Sequence, residues 1–192
     1  MTIAGVVLAG GQSSRYGKPK MFEYHKGKQF YEHSIDALKA NALSPIIVAT
    51  NEKLLPYFQR KDVQYICESK TNAHQGPLYA IANVLKNTPD AEWVFVLSCD
   101  IPYVTSDFVA KMIIYTNDNM LDAIVPVHSG RKQPLLSLYH RRCLPEMERL
   151  LLDNQRKIGL LFNNVNTLMV PFSDDDHVFT NINYQKDWYE RQ

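Results

Sequence analysis

Three short apolar runs set the folding problem for this chain. They are "IAGVVL" at 3–8, "PIIVA" at 45–49 and "WVFVLS" at 93–98. None alternates apolar with polar residues. Successive side chains of a strand point to opposite faces, so such runs need cover on both sides of a sheet. Between them lie stretches with helical spacing. Residues 30–40 place Ile35 and Leu38 on one side, and 77–85 open on Pro77, in a first turn where a missing N–H costs nothing. Strand and helix alternating in this way predict a mostly parallel sheet with helices on both faces, an α/β fold. Residues 53–59 are expected as a short helix and 63–66 as a further strand. Residues 105–115 are expected as a helix capped by Thr105, with Asp107 in its first turn. The second half departs from the repeat. There 123–127 and 134–139 are expected as neighbouring strands across the turn near Gly130, which gives an antiparallel element. Helices at 143–152, 158–162 and 185–191 and a strand at 167–171 complete the reading.

Composition bounds the function. The chain has 192 residues, a formal net charge of +1 and 45% hydrophobic residues. A globular chain of this length buries roughly 70% of its unfolded surface without disulfides or structural metal. No stretch is rich enough in Gly, Pro or Ser to mark a linker, so one domain over 1–192 is expected. The near-neutral charge argues against a general nucleic-acid or membrane surface. Cys67, Cys99 and Cys143 are odd in number and lack CxxC spacing, so they read as reduced thiols of a cytoplasmic protein. No apolar run approaches the roughly 18 residues of a membrane span, and no signal-peptide pattern is present.

In open parallel sheets, ligands sit beyond the carboxyl ends of the strands. Three polar features follow expected strand ends: the loop after Leu8, Glu68 and Asp100. The loop, "AGGQSSRYGKPK", joins two glycines to serines and to Arg15, Lys18 and Lys20. It is not a P-loop, because the glycine spacing is too long and Pro19 follows Lys18. It is not the dinucleotide G-x-G-x-x-G either, because Gly10 and Gly11 are adjacent. What remains is a glycine-turned loop with cations on its far side. Its backbone N–H groups can cradle oxyanions. A solvated basic loop is the plain alternative.

At this point a family resemblance enters. "LAGGQSSRYGKPK" resembles the L-A-G-G-x-S-x-R-M-G-x-x-K signature of molybdenum cofactor guanylyltransferases. "GPL" at 76–78, "CDIP" at 99–102 and "NIN" at 181–183 follow in that family's order. Three departures stand out: Tyr16 where methionine is usual, Tyr79–Ala80 where Ala-Gly is common, and Glu68 where Asp is frequent. The resemblance implies a three-layer, Rossmann-like fold of the nucleotide-diphospho-sugar-transferase type. It implies transfer of GMP from GTP to molybdopterin, with release of pyrophosphate and Mg²⁺ as cofactor. Other cofactor-biosynthesis proteins and recipient molybdoenzymes would be partners.

The resemblance also implies roles. Leu8, Ala9, Gly10, Gly11 and Gly76 would line the nucleotide. Arg15 and Lys20 would neutralise the triphosphate and the departing pyrophosphate. Asp100 would hold Mg²⁺ together with phosphate oxygens, although an Asp opening a turn before Pro102 is the plain alternative. Glu68 would accept the paired N1–H and N2–H donors of guanine, or it simply ends a strand. From its position past the second expected strand, not from the resemblance, Asn51 is a candidate to face the base or pterin, with a plain N-cap role as the alternative. Asn181 and Asn183, two apart and so on one side of an extended segment, would lie near metal and pterin. The nucleotide motifs all precede residue 103, so 104–192 is expected to build the pterin side. Lys18 reads as a solvated charge, 174–177 as a solvated turn and Cys99 as a small buried residue. Two rivals remain: a cytidylyltransferase on the same fold, and a non-catalytic nucleotide or pterin carrier.

Overall fold

The computed structural model describes residues 1–11, 16–68, 75–180 and 182. Its elements, in order, are β1 (Ile3–Leu8), β2 (Tyr24–His25), β3 (Lys28–Gln29), α1 (Phe30–Ala40), β4 (Ile46–Asn51), β5 (Gln64–Glu68) and α2 (Pro77–Asn87). There follow β6 (Trp93–Ser98), α3 (Ser106–Ile113), β7 (Ala123–His128), β8 (Arg131–Lys132), β9 (Leu138–His140), α4 (Leu144–Leu152) and β10 (Thr167–Pro171). The main sheet has the order β10-β7-β9-β6-β1-β4-β5, with β8 on the side of β7. β6, β1, β4 and β5 pair in parallel, as do β7 and β10. β9 is antiparallel to both of its neighbours, β6 and β7.

The apolar runs fill two core layers, one on each face. Val7, Val48, Phe95 and Leu97 face α1 and α3. Val6, Ile47, Val94 and Val96 face α2 and α4. Trp93 through Leu97 are all buried, as a central strand with helices on both sides requires. α1 starts on a capping box, in which the Gln29 N–H donates to Glu32 Oε2 at 2.8 Å while the Gln29 side chain accepts from the third helical N–H. Gly5 lets α1 approach β1 closely. A Cβ there would sit 2.7 Å from Ile46 Cδ1 and 3.0 Å from Leu38 Cδ1.

Several expectations change. Residues 53–59 form only a 3-10 turn at Leu55–Tyr57, because Pro56 breaks the hydrogen-bond ladder a helix would need. The expected strand 134–139 shortens to Leu138–His140. Residues Pro134–Leu136 form a 3-10 turn instead. Ile158–Asn163 is likewise a 3-10 helix. The antiparallel neighbours 123–127 and 134–139 do pair, as β7 and β9, while the turn at Gly130 joins β7 to the short β8. Thr105 caps α3, accepting the Phe108 N–H at 3.2 Å. The segment 185–191 lies outside the described residues. Among the described residues, no helix is long and apolar enough to cross a membrane.

Candidate active site

β1, β4, β5 and β6 point the same way, so Leu8, Asn51, Glu68 and Ser98 all end at one edge of the sheet. Leu8 lies beside Ser98 in register, and Asn51 beside Glu68. The chain after β1 is pinned to its neighbours. The Ala9 N–H donates to the Ala49 carbonyl at 2.8 Å, and the Cys99 N–H donates to the Leu8 carbonyl at 3.2 Å. The Thr50 hydroxyl donates to the Ala9 carbonyl at 3.1 Å, and the Asn51 amide donates to the Gly10 carbonyl at 3.0 Å. Asn51 Oδ1 accepts the N–H groups of Lys53 and Leu54, each at 3.1 Å. Asn51 therefore caps a turn and braces the glycine loop. Gly10 packs against the backbone of Thr50, and Gly11 is exposed, with no atom of the described residues within 4 Å of where its Cβ would stand.

Lys20 and Asp100, 80 positions apart, meet at this edge. Lys20 Nζ donates to Asp100 Oδ2 at 2.8 Å. The side chains are 13% and 19% exposed, so the pair is shielded yet still reached by solvent. The other carboxylate oxygen accepts the Ser98 hydroxyl at 2.5 Å. Lys20 also donates to the Ile182 carbonyl at 3.1 Å, and the Ile182 N–H donates to the Asp100 carbonyl at 3.1 Å. One lysine thus ties the segment after β1, the end of β6 and the C-terminal segment together. Lys20 sits on a 3-10 turn anchored by the buried Met21, while β6 supplies a rigid base for Asp100.

The remaining positions take their places around this junction. Gly76 precedes α2 with φ of +89°, a conformation L side chains rarely adopt, and its carbonyl accepts the Ala80 N–H at 3.2 Å. Following β5, it puts the N-terminus of α2 on the same sheet edge as the loop after β1. Glu68 is half-buried at the end of β5. Lys18 is exposed and forms an ion pair with Glu23, as a surface charge does. Burial pushes the Cys99 thiol up to about 12, which leaves it protonated and unreactive. Asp176 caps a turn by accepting the Val178 N–H at 3.0 Å. Arg15, Asn181 and Asn183 lie outside the described residues, as do Ser13 and Ser14.

The fold adds a wall that strand-end reasoning misses. A cavity of roughly 180 Å³ opens beside Asp100, lined by Ser98, Ile101, Gln133, Pro134, Leu135, Leu136 and Phe179 as well. Because β9 runs against its neighbours, the segment before it reaches the edge that its carboxyl end would otherwise occupy. A signal was present in the expected antiparallel pair: a reversed strand presents its entry to the site.

Comparisons with known proteins bear on the family and the fold. The pattern of the MobA-like NTP transferase domain matches residues 5–165. The chain is 38% identical to a probable molybdenum cofactor guanylyltransferase of Geobacillus sp. (strain WCH70), over 94% of this chain and 93% of that protein. Among solved structures it is similar to molybdopterin-guanine dinucleotide biosynthesis protein A of Archaeoglobus fulgidus, with TM-score 0.77, 23% identity, and 97% and 95% of the two chains covered. It is also similar to a CMP:2-keto-3-deoxy-manno-octonic acid synthetase complexed with CTP, with TM-score 0.81, 14% identity, and 100% and 97% covered. At these identities the structural likeness carries the fold alone, and the fold is common to proteins with different nucleotides. The sequence match over nearly the whole chain carries the family: this protein belongs to the MobA-like NTP transferases, enzymes of nucleotidyl transfer.

Proposed function

We propose that this protein transfers GMP from GTP to the terminal phosphate of molybdopterin, giving the guanine dinucleotide form of the cofactor and pyrophosphate. The observation that carries the reading is the 2.8 Å meeting of Lys20, from the glycine-loop signature, with Asp100 at the end of the central strand. The relative's name supplies the substrates, and the signature residues supply the means.

Asp100 is the residue that would hold Mg²⁺. Its donor chemistry fits, since a carboxylate at a strand end that solvent still reaches offers the hard oxygen such an ion takes. Among the described residues no group of three or more His, Cys, Asp or Glu side chains converges. Mg²⁺ can be held through one carboxylate, with phosphate oxygens and water making up the rest. When bound there, such an ion supplies charge to the phosphate oxygens.

The rest of the chemistry falls to the chain. Lys20 neutralises charge that builds on the departing pyrophosphate. Loop N–H groups near Gly10 and Gly11 hold phosphate oxygens, and Arg15 adds a forked donor. An oxygen of the acceptor phosphate forms a bond to the α-phosphorus of GTP as the bond to the β-phosphate bridge breaks. That oxygen is already anionic at neutral pH, so no strong base is required. Holding the two substrates in line supplies most of the acceleration. Glu68 accepts two guanine donors, a pair that cytosine lacks. Three cysteines without CxxC spacing support a reading of the enzyme as cytoplasmic.

The test is an assay with each of the four nucleoside triphosphates, Mg²⁺ and molybdopterin, with the product identified by mass. The expected result is pyrophosphate and a guanine dinucleotide from GTP. Turnover of CTP instead would make the protein a cytidylyltransferase. Binding without pyrophosphate release would make it a carrier.

A further inference from the structure

We propose that Ile182 is the positioning residue for Lys20. Its side chain is seated in a small apolar socket of Tyr16, Phe30 and Tyr103, and that seat holds its backbone carbonyl where it fixes the lysine ammonium. The inference rests on the preceding reading only in taking Lys20 as a group that meets the phosphates.

The contacts form a closed ring. The Ile182 N–H donates to the Asp100 carbonyl at 3.1 Å. The Ile182 carbonyl accepts Lys20 Nζ at 3.1 Å, across 162 positions of chain. The ammonium donates in turn to Asp100 Oδ2 at 2.8 Å. Lysine carries its charge on a flexible four-carbon stem, so a single partner would let the ammonium pivot. Two partners from separate segments fix it. The chemistry of the second partner matters. Another carboxylate would also hold the ammonium, but it would cancel the charge that a phosphate chain needs. A neutral carbonyl holds the ammonium and leaves that charge in place.

Ile182 belongs to no helix or strand, so no backbone ladder keeps its carbonyl at that point. The side chain supplies the anchor. It is fully buried, packed with the buried Tyr16 and Phe30 and with the half-buried Tyr103. This cluster is distinct from the two layers that cover the faces of the sheet. Its walls come from the segments that carry the two charges. Tyr16 lies four residues before Lys20. Phe30 opens α1, and its N–H donates to the Glu23 carbonyl at 2.9 Å, while the Glu23 N–H donates to the Lys20 carbonyl at 3.0 Å. Tyr103 lies three residues past Asp100 and meets His25 of β2 edge-on, with ring centroids 5.3 Å apart. Seating Ile182 in this socket therefore sets its carbonyl against both members of the ion pair at once.

A plain packing role and a positioning role make different demands. Packing would tie Ile182 to the stability of the fold whatever stands at position 20. Positioning makes its effect on turnover vanish when the ammonium is gone.

The test is a double-mutant cycle on the full chain, combining Ile182→Ala with Lys20→Met. The readout is kcat for pyrophosphate release from GTP and molybdopterin, with calorimetry for GTP binding and thermal unfolding as a check on the fold. Lys20→Met should lower kcat by roughly 100-fold. Ile182→Ala alone should lower kcat by roughly 10- to 100-fold, because a small misplacement of a charged group is enough. Its Kd for GTP should stay near that of the unaltered protein. In the Lys20→Met background, Ile182→Ala should cost nothing further in kcat. Ile182→Leu, which conserves volume, should restore turnover. If Ile182→Ala does not fold, Phe30→Leu loosens the same socket, and its smaller drop in kcat should likewise disappear in the Lys20→Met background. A full further drop in that background, or normal kcat in the folded socket variant, would overturn the inference and leave the reading of function standing. If Lys20→Met itself turns over normally, or if the unaltered protein releases no pyrophosphate from any triphosphate, the reading falls and this inference with it.

Discussion

The two sides of the sheet are built on different rules. β6, β1, β4 and β5 run parallel, and the two central strands, β6 and β1, pair over six register positions. Their carboxyl ends share one edge, so whatever follows each strand arrives at the same place. On the other side, β9 is three residues long and reversed between β6 and β7. Its entry, not its exit, reaches the site edge, and it brings Gln133 and the 3-10 turn with it. A parallel array places functional groups by one simple rule, and a single reversed strand changes which residues that rule selects.

The seam between the sides has its own device. The Arg141 guanidinium donates to the carbonyls of Leu85 at 3.1 Å, Thr88 at 2.9 Å and Ala91 at 3.0 Å. A residue just past β9 therefore satisfies the carboxyl end of α2, where a positive charge is favoured.

Four changes would sharpen or break this contrast. The largest effect is expected at Asp100, where the two sides meet. Asp100→Asn keeps the shape and removes the charge, so turnover should fall by roughly 100-fold or more while GTP binding falls less. Steady-state transfer across a Mg²⁺ titration checks this, and near-normal turnover in a stable variant would make Asp100 a turn residue. Glu68→Gln, at the far parallel end, sets an amide donor against the guanine donors. The ratio of kcat/KM for GTP over CTP should drop by roughly 10- to 100-fold, and an unchanged ratio would remove Glu68 from the base site. Arg141→Met tests the seam. It should lower stability by about 1.5–3 kcal/mol in urea unfolding, the worth of a charged hydrogen-bonding group, and an unaltered midpoint would mean that packing alone joins the two sides. The smallest change is Thr105→Ala. Removing this cap of α3 should cost about 1 kcal/mol, with kcat/KM for GTP unmoved. A loss of activity without loss of stability would show that α3 reaches further into the site than its cap.

The parallel side was the more legible. Ile3–Leu8 and Phe30–Ala40 form the elements their patterns predict, because unbroken apolar runs and a clear helical face leave few alternatives. Asp100 stood out as a carboxylate just past the most apolar strand, and Lys20 as the last residue of a motif. The second half was harder to read. Pro134–Leu136 looks as apolar as a strand, yet its backbone forms a turn. Short apolar segments do not distinguish these outcomes, and pairing with distant strands decides.

The sequence alone therefore determined the layer architecture, the loop after β1, and which residues carry charge near strand ends. These are local properties, set by periodicity, glycine and side-chain chemistry. Only the tertiary structure decided that Lys20 meets Asp100, that Asn51 braces the glycine loop, and that Gln133 stands beside the cavity. Each depends on contacts between segments far apart in the chain, and on a strand direction fixed by how the whole sheet pairs, not by any residue within it.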